Sequence, residues 1–416
     1  MHKKVRPSFL LGTINAPPSK SMTQRAIAAA LLAEGCSVIK NPSFCNDSKA
    51  ASEVAGCLGA DVELCGDELR ITGGRVIRNK NLNCGESGLA VRMFSPVAAL
   101  YDEELILTGE GTLLKRPMAM ITDALGQLGV DCISSNGYLP VTIKGPLNGG
   151  RAEIDGSISS QLLSGLLMAL PNAPGDSVIK VRNLKSRPYV DMTIEILNDF
   201  GAVVENRNYE TFIIPGNQKF TAREYFVEAD WSGGAFLLVA GAINGKVRVT
   251  GLRTTSKQSD MAVLKALENA GAKVLIDEGF IEVSGSGLKC FEFDATESPD
   301  LFPPLVALAA YCRGESSIKG VSRLVHKESN RSDALTSEFA RMGIEIKTEG
   351  DKMIITGGKI KGANVSSHGD HRIAMAAAVA ALGATGEIVI DNPGCVAKSY
   401  PDFFKDLKKA GADISE

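Results

Sequence analysis

Six times along this chain a helix-like stretch ends on glycine followed by a small or β-branched residue. The instances are Leu58-Gly59-Ala60, Leu128-Gly129-Val130, Phe200-Gly201-Ala202, Ala270-Gly271-Ala272, Met342-Gly343-Ile344 and Ala410-Gly411-Ala412. The glycines are 70, 72, 70, 72 and 68 residues apart. So regular a period means one structural unit used repeatedly, which constrains the fold more than composition does. Glycine at that position suits the left-handed residue that closes a helix. Alternating strands follow with polar or glycine centres, as in Val62–Leu64 with Leu69–Ile71, Lys273–Leu275 with Ile281–Val283, and Glu345–Lys347 with Met353–Ile355. They read as antiparallel hairpins.

The rest of each unit repeats as well. Very apolar helices at Ala26–Leu32, Leu162–Leu170, Ala235–Ile243, Leu305–Tyr311 and Ile373–Leu382 precede β-branched strands at 37–39, 177–179, 247–249, 317–319 and 387–390. A helix apolar nearly all round is a buried helix. The unit therefore reads strand-helix-strand-helix-strand-strand. The sixth copy stops short at Glu416, and Ser8–Ile14 is the candidate for its missing strand. The expected arrangement is α/β: one three-repeat lobe over 15–227, and a second over 228–416 completed by residues 1–14. Crossings are expected near Asn15–Ser19, stiffened by Pro17-Pro18, and near Tyr225–Ala229.

A chain of 416 residues with 44% apolar and 22% charged residues suits two globular domains and excludes a disordered chain. The net charge of −3 argues against a general nucleic-acid binder while allowing a local basic pocket. Nine cysteines without a C-x-x-C pair and four scattered histidines support neither a disulfide scaffold nor a metal cluster. Reduced thiols in a cytoplasmic protein are expected, with no membrane partner, since no run approaches the ~20 apolar residues of a span.

Chemistry collects just ahead of the helices. These segments hold Ser19-Lys20-Ser21 with Arg25, Lys115-Arg116-Pro117, Ser159-Ser160-Gln161, Ser186-Arg187-Pro188-Tyr189, Lys327-Glu328 with Arg331, Asp370-His371-Arg372, and Lys398-Ser399. A helix N-terminus favours anions, so cations placed there are locally unfavourable by a few tenths of a kcal/mol. The placement makes sense if a bound phosphate or carboxylate lies between the cation and the free N–H groups. Taken singly, Ser19, Ser159 and Ser186 also fit plain N-caps, and Lys327-Glu328 an ordinary surface pair. What favours an anion site is that so many starts fall in phase with the repeat.

The motifs resemble those of the 5-enolpyruvylshikimate-3-phosphate synthase family. The resemblance runs through Pro18–Ala26, Ser87–Arg92, Lys115–Met118, Asp155–Gln161, Lys327–Arg331, Gly369–Met375 and Ala397–Asp402, in order over the whole chain. It implies two inside-out α/β domains, each of three βαβαββ repeats, with a cleft between them. The implied reaction moves the enolpyruvyl group of phosphoenolpyruvate onto the 5-hydroxyl of shikimate 3-phosphate and releases phosphate, a step of aromatic amino-acid biosynthesis. No organic cofactor and no metal are implied, and a monomer is expected. By the same resemblance Lys20, Ser21, Arg25, Ser159, Ser160, Gln161, Ser186, Tyr189, Asp300 and Lys327 would bind shikimate 3-phosphate. Lys20, Gly88, Arg116, Gln161, Arg331, Arg372 and Lys398 would bind phosphoenolpyruvate. Asp300 would be the base, Glu328 the acid, and Lys20 would assist the departing phosphate.

Some positions depart from the commoner pattern: Glu86 and Leu89 flank Gly88 in place of Asn and Thr, Arg323 stands for Asn, Asn330 for Asp, and His326 precedes Lys327. Glu86 in particular brings a negative charge toward an anion site. Two alternatives differ in class or acceptor. A sister enzyme transfers enolpyruvate to UDP-N-acetylglucosamine, but its acceptor loop usually carries a cysteine where this chain has Gly111-Thr112-Leu113. A non-catalytic anion-binding or RNA-end-processing protein on a related repeat would not need the carboxylates Asp300 and Glu328.

Overall fold

The computed structural model describes residues 2–285 and 287–416. The chain forms two compact units, one of Pro18–Val227 and one of Met1–Pro17 with Glu228–Glu416. Each has its own apolar core.

The first unit contains helices α1 (Lys20–Leu32), α2 (Asn46–Cys57), α3 (Gly88–Ala98), α4 (Ala119–Gln127), α5 (Gln161–Ala169) and α6 (Arg187–Asp199). α1, α3 and α5 are buried along nearly their whole length, whereas α2, α4 and α6 bury only one side. The second unit repeats the scheme. Its inner helices are α7 (Trp231–Asn244), α9 (Phe302–Ala309) and α11 (His371–Ala381), and its outer ones α8 (Val263–Asn269), α10 (Arg331–Arg341) and α12 (Phe403–Lys409). The inner helix α3 was not among the very apolar helices named from the sequence. Its apolar run is interrupted by Arg92 and Pro96, which hid it.

Among the described residues six four-stranded sheets share one plan: an entering strand pairs parallel with the strand after the inner helix, and two antiparallel strands complete the sheet. The six repeat glycines all have positive φ, from +77° at Gly129 to +110° at Gly59, as a left-handed helix closure demands. Several strands pair with segments far away in the sequence. Glu224–Phe226 supplies the entering strand of the first repeat, lying parallel to Cys36–Lys40.

At the other end, the expectation for Ser8–Ile14 needs correction. His2–Arg6 completes the sixth repeat, pairing with Ile388–Asp391 and Asp413–Ser415. Leu10–Asn15 instead enters the fourth, parallel to Gly245–Thr250. In His2–Arg6 only Val5 is buried, so a stretch that reads as basic and polar conceals a strand.

Glycine also sets how closely the inner helices approach. A β-carbon at Gly165 would lie 2.5 Å from Arg92 O and 2.8 Å from Met93 Cα, so α3 and α5 touch backbone to backbone. No helix among the described residues is long and apolar enough to cross a membrane.

Candidate active site

In the first unit the inner helices begin at the same end, because their first turns bond to one another. Ser19 caps α1 by accepting from Met22 N (3.3 Å), and Ser87 caps α3 by accepting from Ala90 N (3.1 Å). Ser87 Oγ donates to Gln24 Oε1 at 2.9 Å, tying α1 to α3. Arg92 Nη1 donates to Gln161 Oε1 at 2.9 Å and Nη2 to Pro117 O at 3.2 Å, tying α3 to α5 and to the Arg116 turn. Arg25 donates from Nε to Thr193 Oγ1 (2.9 Å) and from Nη2 to Ser164 Oγ (3.3 Å) and Tyr189 O (3.1 Å), tying α1 to α5 and α6.

The residues expected to bind substrate lie on these starts. Lys20 opens α1, and its Nζ donates to Asp47 Oδ2 at 2.9 Å. Ser21 follows, its carbonyl accepting from Arg25 Nη1 at 2.9 Å. Gly88 opens α3, and the Arg116 guanidinium packs on it so closely that a β-carbon there would lie 2.7 Å from Arg116 Cζ. Gln161 opens α5 behind Ser160, and Ser159 Oγ accepts from Gln161 N at 3.2 Å. Ser186 precedes α6 in the left-handed region (φ +58°), and Tyr189 lies in that helix's first turn.

Burial pulls the Arg25 guanidinium down to about 10, with Tyr189 and Tyr225 opposing it. Among the described residues its hydrogen-bond partners are all neutral oxygens, with no carboxylate among them.

The second unit draws its charges together more tightly. Asp370 caps α11 by accepting from Arg372 N at 2.9 Å, and is wholly buried. Arg331, 1% exposed, donates from Nε to Asp370 Oδ2 (2.7 Å), from Nη1 to Asp300 Oδ1 (2.7 Å), and from Nη2 to Glu328 Oε2 (2.6 Å) and Asp370 Oδ1 (3.3 Å). Asp300 also accepts from Lys327 Nζ at 3.3 Å and Arg372 Nη2 at 3.2 Å. Arg372 Nη1 is buried with no hydrogen-bond partner among the described residues. Lys398 is buried at the end of a 3-10 turn, Pro393–Lys398, that packs on α11.

These neighbours set the protonation states. Burial pushes the Asp300 carboxyl up, but Arg372, Lys327 and Arg331 outweigh it and hold Asp300 well below the usual carboxylate range. Loss of water pushes Lys327 down to about 8, against the pull of Asp300. Burial, then the charge of Asp300, raise Asp260 to about 6; Ser232 Oγ donates to it at the start of α7. Asp260, Asp47, Arg92 and Asp370 were not among the expected site residues. Arg92 and Asp370 sit inside quoted motifs, and an arginine within an apolar helix was the available signal for the first.

Each unit thus gathers helix N-termini and cations around deep polar positions, the setting expected for anionic ligands. The family model of EPSP synthase (3-phosphoshikimate 1-carboxyvinyltransferase) matches residues 5–407. The chain belongs to the EPSP synthase family. A 3-phosphoshikimate 1-carboxyvinyltransferase of Clostridium novyi (strain NT) is 39% identical, over 99% of this chain and 98% of its own length. That of Methanocorpusculum labreanum is 38% identical over 99% of each. The solved EPSP synthase of Acinetobacter baumannii superposes with a TM-score of 0.82 at 26% identity, covering 100% of both chains. As a member of the EPSP synthase family, this is a shikimate-pathway transferase, moving enolpyruvyl from phosphoenolpyruvate to shikimate 3-phosphate.

Proposed function

We propose that the gathered helix starts of the two units serve this one reaction, with the residues divided as follows. Arg25, Ser21, Ser159, Ser160, Gln161, Ser186, Tyr189, Lys20, Asp300 and Lys327 take shikimate 3-phosphate. Lys20, the N-terminus of α3 at Gly88, Arg116, Gln161, Arg331, Arg372 and Lys398 take phosphoenolpyruvate. The observation that carries the reading is the corner around Asp300: two guanidiniums and an ammonium meet one carboxylate, and a buried Arg372 nitrogen there has no acceptor among the described residues. A buried donor without a partner is costly, and a substrate carboxylate or phosphate oxygen would satisfy it.

The net reaction exchanges phosphate for an alkoxy group on a vinyl carbon and leaves the vinyl group intact. Addition followed by elimination accounts for it. Glu328 protonates the methylene carbon while the 5-hydroxyl oxygen attacks the adjacent carbon and gives its proton to Asp300. Phosphate then departs, assisted by Lys20 and carrying the proton that Asp300 took, and the new methyl group returns a proton to Glu328 to restore the double bond. Incoming anions share Arg331 and Arg372 with Asp300 and Glu328. That sharing weakens the hold of the cations on both carboxylates, which favours the protonated Glu328 that the first step requires and makes the ionised Asp300 a stronger base. The binding cations are mostly paired inside the protein, so they are already oriented when substrate arrives.

The test is phosphate release from phosphoenolpyruvate with each acceptor in turn. Release with shikimate 3-phosphate and none with UDP-N-acetylglucosamine is expected; the opposite pattern would overturn the acceptor assignment.

A further inference from the structure

Glu86 stands two residues before Gly88, where a negative charge should repel an anionic substrate. Its Oε2 accepts both from Thr112 N (2.9 Å) and from Thr112 Oγ1 (2.7 Å). Thr112 lies in the 3-10 turn Gly111–Lys115, and Arg116 follows directly, its N–H donating to Leu113 O at 3.1 Å. Glu86 fills the space above Gly111: a β-carbon there would lie 2.5 Å from Glu86 Cδ, and Gly111 has φ +53°. Two further bonds stitch the same loops, Glu110 N to Gly85 O (2.8 Å) and Asn83 Nδ2 to Glu110 Oε1 (2.7 Å).

We propose that Glu86 is a positioning residue, whose carboxylate clips the Gly111–Lys115 turn to the start of α3 and so fixes the Arg116 guanidinium against Gly88. The inference rests on the reading of Arg116 and Gly88 as the phosphoenolpyruvate side. Charge-assisted bonds to a main-chain N–H and a hydroxyl satisfy the carboxylate within the protein. Its charge then orders two anion donors, the α3 N-terminus and the guanidinium, at a fixed separation. A small loosening of that separation costs binding of the ligand that spans both.

The experiment is a double-mutant cycle on Glu86 and Thr112, read as separate KM and kcat values. Glu86→Ala should raise KM for phosphoenolpyruvate about 10-fold or more, with KM for shikimate 3-phosphate and kcat changed less than about threefold. Thr112→Val and Glu86→Gln should each give a smaller rise, about threefold. Their combination should match the larger single effect, because both break one contact. Additive effects, or a Glu86→Gln shift with Thr112→Val silent, would show Glu86 acting on substrate directly and would overturn the proposal. Equal losses in kcat and both KM values would do so too, as general structural damage. Arg116→Lys is the control: if it leaves KM for phosphoenolpyruvate unchanged, the subsite reading itself fails and the clip loses its purpose.

Discussion

Arg25 and Arg331 are both removed from water, yet their surroundings differ. Arg331 meets three carboxylates and is held more basic than usual despite burial. Among the described residues Arg25 hydrogen-bonds to hydroxyls and carbonyls alone, so its positive charge is left for a ligand to balance. Lys327 lies between these cases, carrying its charge below about 8 and losing it above, since its folded-state value is depressed from 10.5. Binding of shikimate 3-phosphate to the free enzyme should therefore weaken as pH rises from 7.5 to 9.5. In Lys327→Arg, whose guanidinium stays charged, it should hold flat. Calorimetric titration over that range checks this, and a flat wild-type profile would count against a role for Lys327. The cations were legible in the sequence because lysine and arginine at helix starts break a local electrostatic preference. Asp47 and Arg92 were given no role, and Asp370 was named only within its segment, since their part depends on which side chain lies opposite in space.

At the scale of elements, the inner helices act as the frame that places each first turn. α3 and α5 meet at Gly165, and Arg92 bonds Gln161 across the same contact. Gly165→Ala puts a methyl group into the backbone of Arg92 and Met93. It should lower stability by about 1–3 kcal/mol and raise KM for phosphoenolpyruvate as Gly88 and Gln161 part. Denaturant unfolding and steady-state kinetics on one preparation measure both; a variant as stable and active as wild type would show that the contact yields freely. The repeat was readable because closing glycines and buried apolar helices leave strong, local patterns. That the N-terminus completes the sixth repeat was readable, but which of its residues do so, and the part of Glu224–Phe226, were not. His2–Arg6 and Glu224–Phe226 bury one residue each, and pairing partners hundreds of residues away leave no periodic trace.

For the whole molecule, a net charge of −3 conceals cations gathered at the helix starts of each unit, in the second set against Asp300, Glu328 and Asp370. Repetition explains how they arise: an inner helix starting at the same end of every repeat offers its N–H groups, and loop cations supply the rest. The account requires that each unit carry its own share of substrate recognition. The most direct measurement is steady-state phosphate release by Arg25→Gln and Arg372→Gln, each shown to be folded, with either substrate varied. Arg25→Gln should raise KM for shikimate 3-phosphate, and Arg372→Gln KM for phosphoenolpyruvate. Each shift should be about 100-fold, or ~2.7 kcal/mol, with the other substrate affected far less. Wild-type KM values for both substrates in either folded variant would contradict the account.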